Sequence, residues 1–461
     1  MRIPAIKFCE KVKPMHPDFD SNSAHLFERA LEVMPGGNSR ETVYFPPYPI
    51  YAARGEGAKL WDADNVCRLD FVNSFSSAIH GHCHPDIVKA VQDQVAKLVC
   101  VAAPTELEVE LAEIIVDRIP SIEQLRFCNS GTEAVMLCIK AARAFKGRPK
   151  IAKVEGAYHG TFDAVEVSQN ATPDKWGPDN APSPVATAEG TTKGVMDDVV
   201  VLPLNDVETS LEILNRNKEQ LSCVLLDPVP ARMGYLPSTS AYLLAMRKWC
   251  SENDVVLIFD EVMTVRGGYN GMQGEYGIVP DLSAVGKIVG GGLPIGVIGG
   301  KKSIMKVFDV TQPGRSRVPH GGSFNAHPVS MAAGIACMKL LDHDAFDHLA
   351  RLGEKTRQGL KEAFSIAGVA GHVNGHGSMI GYLFTDTEPQ SFRDIVNAKI
   401  SGKGPAIFFD HFINNGILPL GRGGMLLSTV MTDADIDQML DVALAGLRKV
   451  REKVGGMHAN V

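Results

Sequence analysis

Residues 283–300 read SAVGKIVGGGLPIGVIGG: a short apolar run, one lysine, a glycine-rich break with a proline, and a second short apolar run. Each run is of strand length, and Lys287 stands at the carboxyl end of the first. Working outward, similar runs recur in LRFCNS, KIAKVEG, DVVVLP, CVLLDPVP and VVLIFDEV, separated by segments of helical period. That alternation of helix and strand predicts an α/β fold with a parallel-rich sheet covered on both faces.

On either side of this region the pattern changes. SAHLFERALEVM is one amphipathic helix that should stop at Pro35-Gly36-Gly37, and YAARGEGAKLWDADNVCRLDFV alternates around turn residues as a β-meander does. After about residue 340 long helical patterns surround a few strands, which predicts a smaller α+β lobe assembled with the N-terminal segment. The predicted division is 1–75 and 341–461 for the small lobe and 76–340 for the large one. Residues 170–194, NATPDKWGPDNAPSPVATAEGTTKG, have no period and read as a surface loop long enough for a lid.

Composition excludes some classes of function. A chain of 461 residues, 45% hydrophobic, can bury a large core, and its formal charge of −7 gives no basic surface for nucleic acid or anionic membrane. The nine cysteines contain no CxxC pair, so reduced thiols in a cytoplasmic protein are expected. The N-terminal stretch lacks a secretory apolar run and no segment reaches membrane-spanning length.

In open α/β sheets ligands sit beyond the carboxyl ends of the strands, so the residues just after the apolar runs carry the chemistry. Ser130, Gly131 and Thr132 in CNSGTEA form a strand-to-helix turn whose N–H groups suit a phosphate, unless they merely cap the helix. Asp260 and Glu261 end the very apolar run LIFDEV, where a carboxylate needs a cation or donors. Lys287 in apolar surroundings loses proton affinity and becomes a usable amine nucleophile; its blander fate is to snorkel to the surface. Tyr158 and His159 in EGAYHG offer an aromatic face. A P-loop is excluded, since Asp281 stands where its first glycine belongs and Ile288 where a hydroxyl must follow the lysine. His80, His82 and His84 beside Cys83 lack a second ligand cluster and read as a hydrogen-bonded loop rather than a metal site. Together the strand ends describe one ligand: planar, phosphorylated, with an aldehyde for Lys287 and a ring nitrogen for Asp260. Pyridoxal 5'-phosphate fits each part.

With those residues in place, the sequence resembles the class III aminotransferases of pyridoxal-phosphate fold type I. Within them it is similar to the branch of glutamate-1-semialdehyde aminomutase and the β-phenylalanine-type transaminases. PTELEVELAE, RFCNSGTEA, EGAYHG, LIFDEVMT, PDLSAVGKIVGGGLPIG and GGSFNAHP occur in the family's order over nearly the whole chain. The resemblance implies a mostly parallel seven-stranded sheet, covalent attachment of the cofactor to Lys287, and pairing of Asp260 with its ring nitrogen. It implies further that Ser130, Gly131 and Thr132 hold the phosphate, that Tyr158 stacks on the ring and that Val262 lies on the other face. Ser323 stands where the family has a threonine reaching the phosphate of a neighbouring subunit, which implies a homodimer with shared sites. Arg40 stands where both the semialdehyde mutases and the β-amino acid transaminases place an arginine for the substrate carboxylate, and Arg422 where the β-phenylalanine-type enzymes have an arginine and the mutases a glutamate. One departure is DPVPARMG, where Arg232 replaces the small or amide residues usual near the cofactor's phenolic oxygen. Arg232 can bond that oxygen, bind substrate, or point away. The implied activity is transfer of an amino group from a carboxylate-bearing donor, plausibly a β-amino acid, to an α-keto acid. An intramolecular 2,1-aminomutase is the alternative, and a non-catalytic scaffold would not need Lys287, Asp260 and the phosphate turn together.

Overall fold

The computed structural model of the protein describes residues 16–314, 316–400 and 402–454. The N-terminal stretch read for a secretory run begins outside the described residues. The meander forms as β1 (Ala52–Glu56), β2 (Lys59–Asp62) and β3 (Cys67–Asp70). The apolar runs become β4 (Gln124–Cys128), β5 (Lys150–Val154), β6 (Val199–Leu202), β7 (Leu221–Leu226), β8 (Val256–Glu261), β9 (Leu282–Gly286) and β10 (Gly296–Gly300). The C-terminal part adds β11 (His372–His376), β12 (Met379–Leu383), β13 (Ile417–Leu418) and β14 (Gly424–Leu426).

Strands β4 to β10 make one seven-stranded sheet in the order β4-β10-β9-β8-β7-β5-β6. All of its pairs are parallel except those of β10, which runs antiparallel to both β4 and β9. Every residue of β6, β7, β8 and β9 is buried, and the near-continuous Val, Ile and Leu content of β6, β7 and β8 is what a sheet covered on both faces requires. One face packs on the helix Gly131–Lys146 through Val135, Cys138 and Ala142 against Ile151, Leu225 and Ile258. The other packs on the helix Ser240–Glu252 through Tyr242, Met246 and Trp249 against Val224, Leu257 and Phe259.

β13 pairs in parallel with β3, Ile417 opposite Leu69, so a C-terminal strand completes the N-terminal meander. β11, β12 and β14 form a separate three-stranded sheet beneath the long helices His343–Ala367 and Asp433–Val454. Among the described residues no helix is long and apolar enough to cross a membrane. The helix in SAHLFERALEVM runs Asn22–Leu31, capped by Ser21, and a tight turn at Pro35–Gly37 follows it.

Candidate active site

The strand ends converge as the sheet order dictates. Register places Phe259 of β8 beside Leu226 of β7, so the residue following β7 falls beside Asp260, while Asp260 pairs with Ala284 of β9 and the residue following β9, three positions on, acts on it electrostatically. Those residues are Asp227 and Lys287.

Strand alternation sends Asp260 and Glu261 to opposite faces. Asp260 accepts hydrogen bonds from His159 Nδ1 at 2.8 Å and from the Val262 N–H at 3.0 Å. His159 is fully buried, and its burial, with the nearby Lys153 ammonium, depresses its proton affinity against the pull of Asp260. The ring therefore serves Asp260 as a neutral N–H donor. Glu261 faces the other way and accepts from the N–H groups of Met272 (2.7 Å) and Gln273 (3.0 Å) and from Gln273 Nε2 (3.0 Å). Burial nevertheless pushes the Glu261 carboxyl up to about 7. Its bonds fix the segment after β8, a structural task.

Lys287 follows β9 with φ +52°, a left-handed backbone that a lysine adopts only where the surroundings enforce it. Its Nζ lies 3.8 Å from Met263 Sδ. Burial lowers the ammonium to about 8, opposed by the Asp260 and Asp227 carboxyls and assisted by the Arg266 guanidinium. An amine desolvated to that degree is largely neutral in mildly alkaline solution and can attack an aldehyde.

At the end of β4, Ser130 caps the sixteen-residue helix Gly131–Lys146, its Oγ accepting from the Glu133 N–H at 3.2 Å. The capping reading of this turn therefore holds. It does not compete with phosphate binding, because the N–H groups of Gly131 and Thr132 still head the positive end of the helix. Glycine is required at two points here. A Cβ on Gly131 would lie 2.5 Å from Val262 Cγ1, and one on Gly296 of β10 would strike the Ser130 carbonyl. The turn and Val262 thus touch, and Asn325 Oδ1 accepts from Asn129 Nδ2 at 2.9 Å, tying the exposed loop that carries Ser323 to the same turn.

Tyr158, 39% exposed, carries the Arg232 guanidinium 4.7 Å above its ring. Arg232 Nη1 donates to Asn170 Oδ1 at 2.9 Å, so this arginine bridges the ring of Tyr158 and the start of the long loop. That loop is fastened further along by Arg393, which bonds the carbonyls of Trp176 and Gly177. Arg40 and Arg422 are both exposed, Arg40 with its guanidinium 6.0 Å from the Phe75 ring and Arg422 in the turn between β13 and β14. Two histidines of HGHCHPD bond different partners, His80 the Cys337 carbonyl and Thr429 Oγ1 and His82 Asp70, while the His80 and His84 rings meet edge-on at 5.7 Å. No group of three metal-ligating residues occurs among the described residues.

Sequence reasoning left two polar residues without a role, His159 as the partner of Asp260 and Asp227 beside it. The signal for His159 was its place at a strand end in EGAYHG; for Asp227 it was a carboxylate directly after a fully apolar run.

Comparison with known proteins gives the family. Residues 43–444 match the family model described as aminotransferase class-III. The glutamate-1-semialdehyde 2,1-aminomutase 2 of Halalkalibacterium halodurans is 34% identical over 440 residues, which are 94% of this chain and 99% of that protein. An omega-transaminase from Sphaerobacter thermophilus superposes with a TM-score of 0.90 at 44% identity, covering 93% of this chain and 98% of that one. The β-phenylalanine aminotransferase from Variovorax paradoxus gives 0.84 at 33% identity, with 95% and 97% covered. The chain belongs to the class III aminotransferases, a family dependent on pyridoxal 5'-phosphate.

Proposed function

From that membership we propose that the protein is a transaminase that takes an amino group from a carboxylate-bearing donor, a β-amino acid, and delivers it to an α-keto acid. The observation that carries the reading is the half-buried Lys287 amine, its ammonium lowered to about 8, acting on Asp260, which accepts from His159 Nδ1. This donor set suits pyridoxal 5'-phosphate: an amine for the aldehyde, Asp260 for the ring nitrogen, and the Ser130-Gly131-Thr132 helix end for the phosphate. Tyr158 and Val262 supply the two ring faces, and Ser323 serves the phosphate of a second copy in a homodimer. When bound, the cofactor supplies an electron sink for the pair freed at the substrate carbon bearing nitrogen.

The protein's own part is to hold and move protons. Asp260, set against the ring nitrogen, would favour its protonated form. Lys287 Nζ, neutral once free, takes the proton from the amine-bearing carbon and returns it one position along. Arg40 and Arg422 grip substrate carboxylates, each fork bidentate. Arg232 serves the substrate side of Tyr158, from its place over that ring. We place the protein in the cytoplasm, its lobes divided near residues 75 and 340.

The 2,1-aminomutase is the second reading, supported by the 34% identity to the H. halodurans protein. Steady-state assays separate them. A transaminase turns over β-amino donors only with added pyruvate or 2-oxoglutarate, and Arg40→Ala and Arg422→Ala each raise KM for carboxylate substrates, a lost charged contact being worth about 1.5–3 kcal/mol. Turnover of a single amino-aldehyde acid without acceptor would establish the mutase instead.

A further inference from the structure

The scheme above leaves one buried carboxyl at the site unused. Asp227, 7% exposed, directly follows β7, and since Leu226 pairs with Phe259, the next position along sets Asp227 beside Asp260. Residues paired across neighbouring strands point to the same face, and the strands lie roughly 4.8 Å apart. Two carboxyls so placed, both out of water, cannot both carry a charge at neutral pH without a large penalty.

Their hydrogen bonds decide which one gives it up. Asp260 accepts from the His159 ring at 2.8 Å and the Val262 N–H at 3.0 Å, both of which favour the anion. Asp227 accepts from the Val229 N–H at 3.0 Å. The other titratable groups coupled to this pair are Glu261 from β8, Lys287 after β9, and Cys138, Tyr235 and Tyr276, each of which feels one of the two carboxyls; Arg266, beyond β8, acts on Lys287 and Tyr235. The cations among them do not single out Asp227: Lys287 feels both carboxyls, with Asp260 the stronger. Burial, then the Asp260 charge, drive the Asp227 carboxyl well above the usual carboxylate range.

We propose that Asp227 is a neutral carboxylic acid in the working protein, and that it and Asp260 share one proton, which sits on Asp227 while Asp260 keeps the charge. Lys287 then faces a single anion, and Asp227 contributes an O–H donor beside the site. It is a positioning residue that sets the charge at the foot of the cofactor pocket. Its consequence for catalysis rests on the role proposed for Asp260, but the protonation itself does not.

The test is infrared spectroscopy of protein labelled with 13C at the aspartate side-chain carboxyl, recorded at neutral pH as apoprotein and with pyridoxal 5'-phosphate bound. Wild type should show an acid C=O stretch that moves with the label, which separates it from the Glu261 acid. Asp227→Asn should remove that band and Asp260→Asn should not. Absence of any label-sensitive acid band in wild type overturns the proposal without recourse to a variant, as does a band that survives in Asp227→Asn. A second reading uses the pH midpoint of the visible absorbance of the holoenzyme. Asp227→Asn replaces neutral by neutral and should move it by less than about half a unit, whereas loss of a real charge at this range would lower it by about one unit or more. A transaminase assay that failed would leave the apoprotein spectra untouched, so failure of the functional reading and failure of this one are distinguishable.

Discussion

Replacing Arg393 by methionine should release the long loop and destabilise the end of β5. Arg393, on the helix Phe392–Ile400, grips Glu155 with two donors, Nε to Oε2 at 2.9 Å and Nη2 to Oε1 at 3.1 Å. The same guanidinium donates to the carbonyls of Trp176 (2.9 Å) and Gly177 (2.8 Å) and to Asp179 Oδ1 (2.6 Å), and lies over the Trp176 ring. The contributions are unequal. Asp179 is almost fully exposed and its ion pair is worth about 0–1 kcal/mol. Glu155 is 2% exposed, and stripping a buried carboxylate of its partner costs about 3–5 kcal/mol. The Glu155 term therefore dominates. The loop itself loses two charged hydrogen bonds, to Trp176 and Gly177, each worth about 1.5–3 kcal/mol, so its local opening should become about 100-fold more frequent or more, since each 1.4 kcal/mol is about tenfold. Limited proteolysis reads that opening as the rate of cleavage within 170–194, and urea denaturation reads the loss of stability. Glu155→Gln in the same chain removes the stranded charge and should recover about half of the lost stability, while the loop stays cleavable because the bonds to Trp176 and Gly177 are still gone. Wild-type cleavage of Arg393→Met, or a double variant no more stable than the single one, would refute the reasoning.

Two further outcomes follow from the site. Lys287 is held near 8 by burial, so its amine is protonated below that pH and neutral above it; the rate at which apoprotein takes up pyridoxal 5'-phosphate should rise through about pH 8, and a rise only at the ordinary lysine value of about 10.4 would show that the amine is not desolvated. Gly131→Ala should weaken cofactor binding by about 5- to 150-fold, the 1–3 kcal/mol of an overpacked contact with Val262, measured by absorbance titration. Val262→Ala should restore it, and no restoration would mean that the methyl acts on the phosphate turn directly.

The seven strands were legible because each is a short apolar run with a turn signal near its end, and the carboxyl-end rule then picked out Asp260 and Lys287. What the sequence withheld was pairing at a distance. Nothing in IGVIGG distinguishes a strand running against its neighbours, yet β10 is antiparallel to both β4 and β9. The composition of 170–194 announced a loop, but the clasp on it lies more than 200 residues away in Arg393. His159 and Asp260 stand 101 residues apart and meet only because β5 and β8 flank β7 in the sheet. The HGHCHPD histidines look like one cluster in sequence, yet the fold bonds His80 and His82 to different partners while keeping the His80 and His84 rings in contact.

The Asp260-Glu261 pair marks the same boundary at the scale of one peptide bond. Strand alternation alone says that the two carboxyls point to opposite faces, so only one can belong to the site. It does not say which one does, and the number of hydrogen bonds does not either, since Glu261 accepts three and Asp260's side chain two. Glu261 is completely buried, and desolvation outweighs its three donors, leaving it at about 7. Asp260 sits where the sheet ends, with Lys287 on one side. On its other side the acid of Asp227, in the reading proposed above, leaves the one negative charge to Asp260. The difference between a structural acid and a working carboxylate thus lies in what the neighbouring strand ends contribute, which depends on sheet order rather than on either residue's own flanks.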